Sequence, residues 1–367
     1  MNRAYKYERW LNKMKKLSKV LGMFLAMSLS VMAIGCGGNA QTTNENNSEQ
    51  QETVDNTQDK AAEIDNAEVA NDENYKIGVI QLVEHSALDA AYKGFVDGLK
   101  ELGYEEGKNL TMDYQNAQGD QSNCQTIASK LVNDQNDLIL AIATPAAQAV
   151  ANTTKDIPIL ITAVTDPADS KLVASNEVPG GNVSGTSDLT PVKEQINLIP
   201  QIVQGVKTIG VVYCSSEANS KFQVELAKEE AAKLGLEVVE ATVSNSNEIQ
   251  QVVQSLVGKV EALYVPTDNM LAAGMPNVVS VTNPAKIPVI CGEEGMVTNG
   301  GTATYGINYY DLGKLTAQQA VSILKDGKNP AEMPIEYCSD CNLVLNEDAA
   351  KEMGITFPQE LLDKASK

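Results

Sequence analysis

The stretch LILAIATPAAQA at residues 138–149 decides the fold class. Its opening run, residues 138–143, is apolar on both faces, which is typical of a parallel strand covered by helices on either side. Thr144 and Pro145 then suit the start of a helix, because threonine can cap a helix and proline fits its first turn. A buried strand followed at once by a helix is the repeating unit of a doubly wound α/β fold.

The same unit recurs along the chain from Tyr75 and then again in the second half. We predict strands at 75–82, 110–114, 138–143 and 157–163, and helices at 87–102, 124–132 and 145–153. Ile77-Gly78-Val79 recurs as Ile209-Gly210-Val211, and Leu102-Gly103 recurs as Leu234-Gly235, both at an offset of 132 residues. Matches at one offset, in the same structural roles, predict two Rossmann-like lobes with doubly wound parallel sheets, joined by a multi-strand hinge.

The lobe boundaries follow from this repeat. We expect the first lobe to contain residues 75–187 with 309–329, and the second lobe to contain residues 188–308 with 330–367. The chain would cross between the lobes near 184–191 and again near 302–309. A helix at 310–324 would pack back on the first lobe, and residues 333–367 on the second.

The N-terminal segment is predicted to be a targeting signal rather than a folded domain. A basic region precedes an apolar run from Val20 to Ile34, which is too short to span a membrane as a mature helix. The run ends in Ala33-Ile34-Gly35-Cys36, which resembles the lipobox of bacterial lipoproteins. We therefore expect residues 1–35 to be a signal peptide, Cys36 to be acylated, and the polar residues 36–74 to be a disordered acidic tether. An ordinary signal peptide with a chance cysteine is the alternative.

Composition excludes several classes of function. The chain of 367 residues has a net charge of −20, and polyanion binding needs clustered Lys and Arg, so nucleic acid is not expected as a partner. One histidine argues against a zinc enzyme and against a Ser-His-Asp hydrolase. The common nucleotide-binding and hydrolase motifs are missing from the sequence. We therefore predict a binding protein with no cofactor and no metal.

Candidate binding residues follow from the position of ligand sites in open parallel sheets, beyond the carboxyl ends of the strands. The start of the helix after residue 143, with Thr144 and Ala146, could hold a ligand carboxylate on free N–H groups. Asp268 and Asn269 supply an anion and an amide that suit an ammonium group. In both places simple helix capping is an equally good interpretation. An anion site on one lobe and a cation site on the other would fit a zwitterion.

Two further features leave alternatives open. His85 is the sole imidazole, and such a residue is more often solvated or capping than catalytic. Cys338 and Cys341 form a single CxxC pair without a nearby histidine, so a zinc site is not expected. They would form either a local disulfide or two free thiols.

Seven ordered motifs carry a resemblance to a known family. The lipobox, the tether and the two lobes resemble proteins of the type 1 periplasmic-binding-protein fold, and the motifs resemble the substrate-binding lipoproteins of tryptophan/tyrosine-type ABC uptake systems. The motifs are Glu84-His85-Ser86-Ala87-Leu88-Asp89, Gly107-Lys108-Asn109, Ala143 to Ala149, Val164-Thr165-Asp166-Pro167, Pro179 to Gly185, Glu217-Ala218-Asn219-Ser220 and Val265 to Asn269.

The resemblance implies a monomeric extracytoplasmic receptor that delivers an amino acid, aromatic in the better-understood members, to an ABC permease and its ATPase. It assigns the ligand carboxylate to Thr144, Ala146 and Gln148. It assigns the ammonium group to Asp268 and Asn269. The remaining residues of the implied site are His85, Ser86, Thr165, Asp166, Tyr213, Asn219, Thr267 and one of the acidic pair Glu293 and Glu294.

Two other functions compete with this one. A sensor lipoprotein of the same fold would signal to a membrane receptor instead of a permease. An enzyme could use Asp166, Asp268 or the pair Glu293–Glu294 as acid and base, but no motif supports that reading.

Overall fold

The computed structural model describes residues 74–365. The predicted signal peptide, Cys36 and the predicted tether up to residue 73 lie outside the described residues. No helix between residues 74 and 365 is both long and apolar enough to cross a membrane.

The first lobe opens the described part of the chain. Its elements are β1 (Tyr75–Gln81), α1 (Ser86–Glu101), β2 (Leu110–Asn116), α2 (Gln121–Asn133), β3 (Leu138–Ile142), α3 (Thr144–Thr153), β4 (Ile159–Val164) and β5 (Val183–Ser187). The bounds of the seven predicted elements agree with these within three residues. β3 and β4 are buried along their whole length, as expected for strands covered on both faces.

The second lobe follows. Its elements are α4 (Val192–Ile202), β6 (Thr208–Cys214), α5 (Ala218–Lys233), β7 (Glu237–Val243), α6 (Ile249–Gln254), β8 (Ala262–Val265), α7 (Asn269–Ala273), α8 (Met275–Ala285), β9 (Val289–Cys291), α9 (Glu294–Thr298) and β10 (Ala303–Gly306). The chain then returns to the first lobe with α10 (Tyr309–Leu324) and β11 (Glu336–Tyr337). It ends in the second lobe with β12 (Asn342–Leu345), α11 (Glu347–Met353) and α12 (Gln359–Lys364).

The two sheets have equivalent strand orders, which confirms the predicted repeat. The first has the strand order β11-β5-β4-β3-β1-β2 and is parallel throughout. The second has the order β12-β10-β9-β8-β6-β7, and only β12 is antiparallel to its neighbour. The repeated Ile-Gly-Val segments lie in β1 and β6, which hold equivalent places in the two sheets. Gly103 and Gly235 both have a positive φ just after a helix, as a terminating glycine requires.

The packing of α10 on the first lobe is also as predicted. α10 lies against α1, and glycines allow the close approach. A Cβ added at Gly94 of α1 would meet the Tyr310 carbonyl oxygen, and one at Gly313 would meet the Ala91 carbonyl oxygen. These glycines therefore set the distance between the two helices.

The last crossing between the lobes differs from the predicted boundary at residue 329. β11 pairs in parallel with β5 of the first sheet, and the Ser184 hydroxyl donates to the Met333 carbonyl oxygen at 2.8 Å. The third connection is therefore residues 338–341. A two-residue edge strand carries no hydrophobic periodicity, so the sequence does not reveal it. Cys338 and Cys341 lie in this connection, and both are free thiols.

Candidate functional site

A narrow cavity lies between the two lobes, beyond the carboxyl ends of the strands. The lining residues come from both lobes and from the connections between them. They are His85, Leu88, Ala163, Thr165, Asp188, Asn219, Thr267, Asp268, Asn269, Ala272, Glu293, Met296 and Tyr309.

The structure brings together about half of the predicted site. The predicted residues that line the cavity are His85, Thr165, Asn219, Thr267, Asp268, Asn269 and Glu293. Those that do not line it are Ser86, Thr144, Ala146, Gln148, Asp166 and Tyr213.

Asp166 and Tyr213 are engaged elsewhere. Asp166 Oδ1 accepts from the backbone N–H groups of Ala168 and Asp169, at 3.0 and 2.9 Å, which is a capping role in a turn. The Tyr213 hydroxyl donates to Glu240 Oε2 at 3.0 Å. Neither side chain lines the cavity.

The predicted binding site for a ligand carboxylate at the start of α3 differs from the expected arrangement in its helix cap and in Gln148. The N-cap is Ala143, with φ 82°, rather than Thr144, which is the first helical residue. The Thr144 hydroxyl is buried and has no hydrogen-bond partner among the described residues. Gln148 Nε2 donates to the Ser170 carbonyl oxygen at 3.1 Å, so this amide is occupied. A ligand carboxylate at Thr144 stays a prediction.

Direct contacts across the cavity hold the lobes together. The Thr165 hydroxyl of the first lobe lies 3.1 Å from the Thr267 hydroxyl of the second. His85 Nε2 lies 3.4 Å from Asn269 Oδ1, again between lobes. Asn299 Nδ2 donates to the Ser86 hydroxyl at 3.5 Å, just outside the cavity. These contacts describe a closed arrangement of the two lobes.

The electrostatic character of the cavity is acidic. Asp188, Asp268 and Glu293 line it, and no lysine or arginine occurs among its described lining residues. Burial raises the pKa of Asp188 to about 6, although the hydrogen bond from the Tyr309 hydroxyl opposes the rise. Burial and the nearby charge of Asp188 raise the pKa of Glu293 to about 7. A site of buried carboxylates without a cation favours a positively charged ligand group.

Asp268 belongs to the framework of the second lobe. Its Oδ2 accepts from the Cys214 backbone N–H at 2.6 Å and from the Ser220 hydroxyl at 2.7 Å. Its Oδ1 caps α7 by accepting from the Leu271 backbone N–H at 2.9 Å. Glu217 lies next to Asp268 and is also buried. Burial raises the pKa values of both carboxyl groups, and the neighbouring Asp268 charge raises that of Glu217 further. Both oxygens of Asp268 are thus already bonded, as the capping alternative predicted.

Asp188, which sequence reasoning missed, has a free oxygen. Its Oδ2 accepts from the Tyr309 hydroxyl at 2.8 Å, while its Oδ1 is buried without a hydrogen-bond partner. Asn219 Oδ1 is likewise buried and unpartnered at the cavity. Because a buried unpaired acceptor is costly, both atoms are suited to receive donors from a ligand. The signal for Asp188 was its place directly after β5, at the same sheet edge as the other candidates.

Glu293 is the member of the acidic pair that faces the cavity. It is 2 % exposed, and its carboxylate caps α9 by accepting from the backbone N–H groups of Gly295 and Met296. Glu294 is half-buried and is not among the lining residues. Within residues 74–365, no group of three His, Cys, Asp or Glu side chains could hold a metal ion.

Comparison with known proteins decides the family. The sequence signature of the family described as ABC transporter substrate binding protein matches residues 76–367. A "Tyrosine-binding protein" of Clostridioides difficile is 43% identical over 341 residues, which is 93% of either chain. The chain belongs to the ABC transporter substrate-binding proteins. Proteins of this kind are receptors and in general not enzymes.

Solved structures confirm the predicted fold class of this substrate-binding protein. An ABC domain from Streptococcus pneumoniae in complex with L-Trp is 44% identical, with a TM-score of 0.78 over 80% of this chain and 99% of that one. A ligand-free, open substrate-binding protein with adhesive properties from Clostridium difficile is 49% identical, with a TM-score of 0.62 over 80% and 98%. The lower score at the higher identity agrees with the closed arrangement described above.

Proposed function

We propose that this protein captures one aromatic amino acid between its lobes and delivers it to an ABC permease driven by a cytoplasmic ATPase. The observation that carries the proposal is the unpartnered Asp188 oxygen in a closed cavity lined by carboxylates. An α-ammonium group would supply the missing positive charge and the missing donor. Zwitterionic ligands therefore fit better than neutral sugars.

The rest of the cavity supports an aromatic side chain. Leu88, Ala272 and Met296 are apolar lining residues, and Tyr309 also lines the cavity. Methionine and aromatic side chains adapt well to flat aromatic surfaces. The ligands in the names of two relatives, tyrosine and L-Trp, belong to this class.

Binding would proceed by clamshell closure. The ligand would dock on one lobe, and contacts such as Thr165–Thr267 would then stabilise the closed form that the permease recognises. A ligand enclosed in this way contacts both lobes at once, so its affinity depends on the closed state. A single chain provides every residue of the cavity, and we expect the protein to act as a monomer.

The test is a panel of ligands on the purified chain, unfolded and refolded to remove any bound molecule. L-tyrosine, L-tryptophan and L-phenylalanine are compared by calorimetry with L-leucine, L-glutamate and tyramine, which lacks the carboxylate. We expect tight binding of at least one aromatic amino acid and a thermal shift that follows its concentration. No detectable binding of any of the three aromatic amino acids would refute the proposed ligand class.

The location of the receptor is proposed from the N-terminal sequence. Acylation of Cys36 would anchor the protein on the outer face of the cytoplasmic membrane, since two acyl chains suffice for stable attachment. In a bacterial host, we expect the wild-type chain to fractionate with membranes and to incorporate labelled palmitate. Cys36→Ala should abolish the label. Equal labelling of both chains would contradict the assignment.

A further inference from the structure

The imidazole of His85 has two nitrogen atoms in different situations. His85 directly precedes α1 and lines the cavity. Its Nε2 faces Asn269 Oδ1 at 3.4 Å, across the gap between the lobes. Its Nδ1 is buried and has no hydrogen-bond partner among the described residues. Which nitrogen of this ring carries the proton therefore determines whether His85 offers a ligand a hydrogen-bond donor or an acceptor.

The orientation of the Asn269 amide is fixed from behind by Glu217. Asn269 Nδ2 donates to Glu217 Oε2 at 2.6 Å. The same oxygen accepts from the Asn269 backbone N–H at 3.1 Å and from Asn219 Nδ2 at 3.0 Å, so it acts as an acceptor. A reversed amide would set its oxygen against this acceptor. The atom that Asn269 presents to His85 is therefore its oxygen, Oδ1.

This orientation fixes the tautomer of His85. An amide oxygen can only accept, so Nε2 must carry the proton in that contact. Burial lowers the pKa of the ring to about 4, and the neutral ring has one proton to place. Nδ1 is then a buried acceptor without a donor, on a residue that lines the cavity. A buried acceptor without a donor is costly, and a ligand donor would remove that cost.

We propose that His85 Nδ1 accepts a hydrogen bond from a donor on the ligand's aromatic ring, the phenol O–H of L-tyrosine or the indole N–H of L-tryptophan. This rests on the proposed function and deepens it, because L-phenylalanine carries no such donor. The site then selects among aromatic amino acids by hydrogen bonding and not by size alone.

The position of His85 favours the ligand ring over the ammonium group. Leu88 lies three residues further along, on the same helix face, and is an apolar lining residue. The ammonium group has stronger acceptors available in the carboxylates of Asp188 and Glu293. A neutral imidazole next to an apolar side chain suits the weaker, directional donor of a ring.

The first arm of the test uses the wild-type protein and changes the ligand. Calorimetry first compares L-tyrosine and L-tryptophan with L-phenylalanine. It then compares the preferred ligand with an analogue that lacks the ring donor. For L-tyrosine the analogues are the O-methyl derivative and 4-fluoro-L-phenylalanine, and for L-tryptophan the analogue is the derivative methylated on the indole nitrogen. We expect the ligand with the donor to bind about tenfold or more tightly than L-phenylalanine. Equal affinity for all of these ligands would overturn the inference while leaving the proposed function intact. No binding of any aromatic amino acid would instead defeat the proposed function.

The second arm changes the residue. His85→Gln keeps an amide near the Nε2 position but has no acceptor at Nδ1, whereas His85→Asn places an amide oxygen near Nδ1. We expect His85→Gln to bring the affinity ratio between the preferred ligand and L-phenylalanine close to one. His85→Asn should keep part of the preference. An unchanged ratio in His85→Gln, or an equal weakening of all ligands, would overturn the assignment.

Discussion

The hydroxyl of Thr165 in the first lobe lies 3.1 Å from the hydroxyl of Thr267 in the second. Gln223 Nε2 donates to Thr267 Oγ1 at 2.5 Å and lies 3.4 Å from Thr165 Oγ1, so the two hydroxyls share one amide. Both threonines are buried at the cavity. This small network joins the lobes only when they are closed, and it links the closed state to the ligand site.

Removing this contact should weaken ligand binding without unfolding the lobes. Thr165→Val and Thr267→Val should each weaken the binding free energy of the preferred aromatic amino acid by about 1–2 kcal/mol, which is the cost of a lost buried hydrogen bond. Because the hydroxyls contact each other, the double variant should lose clearly less than the sum of the two. Calorimetry of the four proteins measures this cycle.

Thr282→Val is the matched control for the cycle. Thr282 is a fully buried threonine of α8 whose hydroxyl has no partner among the described residues, and it does not line the cavity. Its replacement should leave affinity unchanged. Strict additivity of Thr165→Val and Thr267→Val would show that the two hydroxyls are not coupled in solution.

Asp188 and Asp268 should respond in opposite ways to loss of charge. Asp188→Asn removes the proposed partner of the ligand ammonium, and affinity should fall by about 2–5 kcal/mol. The ligand-free protein should be no less stable, because burial disfavours the charged carboxylate. Asp268→Asn disturbs a helix cap and the bonds to Cys214 and Ser220, and should lower the free energy of unfolding by about 1–3 kcal/mol.

Calorimetry and denaturant unfolding of both variants separate these roles. Normal affinity in Asp188→Asn, together with lost affinity in a stably folded Asp268→Asn, would return the ammonium site to Asp268.

Much of the fold could be predicted because its signals are local. Runs of residues apolar on both faces mark parallel strands such as β3, and a repeated Leu-Gly pair marks equivalent helix ends. The third connection was misplaced because β11 has only two residues and is held by pairing with β5, which is a long-range contact. Local patterns cannot report such a contact.

The site was predictable in position but not in its division of roles. The strand-end rule pointed to Thr165, Asn219 and Glu293, and these residues line the cavity. Whether a carboxylate caps a helix or stays available to bind a ligand depends on which backbone N–H groups lie within hydrogen-bond distance of it. Asp268 accepts from the Leu271 backbone N–H, whereas Asp188 Oδ1 has no partner among the described residues. Residue type is the same in both places, so only the three-dimensional contacts separate them.

Stability of the ligand-free protein should fall as pH rises from 5 to 8. Unfolded carboxyl groups titrate near pH 4, whereas the folded pKa values of Asp188 and Glu293 are raised to about 6 and about 7. A raised folded pKa gives stability that is complete below the unfolded pKa and is lost as pH rises through the folded pKa. The lowered pKa of His85, about 4 when folded, acts in the opposite direction below about pH 6.5, because the unfolded ring then binds a proton that the folded ring does not. The two raised carboxyl pKa values together are the larger effect, so the net stability should still fall from pH 5 to pH 8.

Thermal unfolding at pH 5 and pH 8, with and without ligand, measures this effect. The ammonium of a ligand should offset the ionised carboxylates, so the ligand-induced shift should be larger at pH 8. Glu293→Gln should reduce the pH dependence of the free protein, and the part due to Asp188 and to the buried Asp268–Glu217 pair should remain. A free protein more stable at pH 8 than at pH 5 would contradict the raised pKa values.

The interface between α1 and α10 should tolerate no added methyl group. A Cβ at Gly94 would meet the backbone carbonyl of Tyr310, and one at Gly313 would meet that of Ala91. Alanine in a helix gains about 1 kcal/mol over glycine in intrinsic propensity, but overpacking of a backbone contact costs about 1–3 kcal/mol or more. A carbonyl group cannot move aside as a flexible side chain can, so the clash should prevail. Gly94→Ala and Gly313→Ala should each be destabilised by about 1–3 kcal/mol.

Gly181→Ala provides the control for this prediction. No atom lies within 4 Å of a Cβ added at Gly181, and its φ is not positive, so the free energy of unfolding should change by no more than about 0.5 kcal/mol. Denaturant unfolding of the three variants gives the comparison. If Gly94→Ala is as stable as Gly181→Ala, the two helices lie further apart in solution than the glycine contacts require.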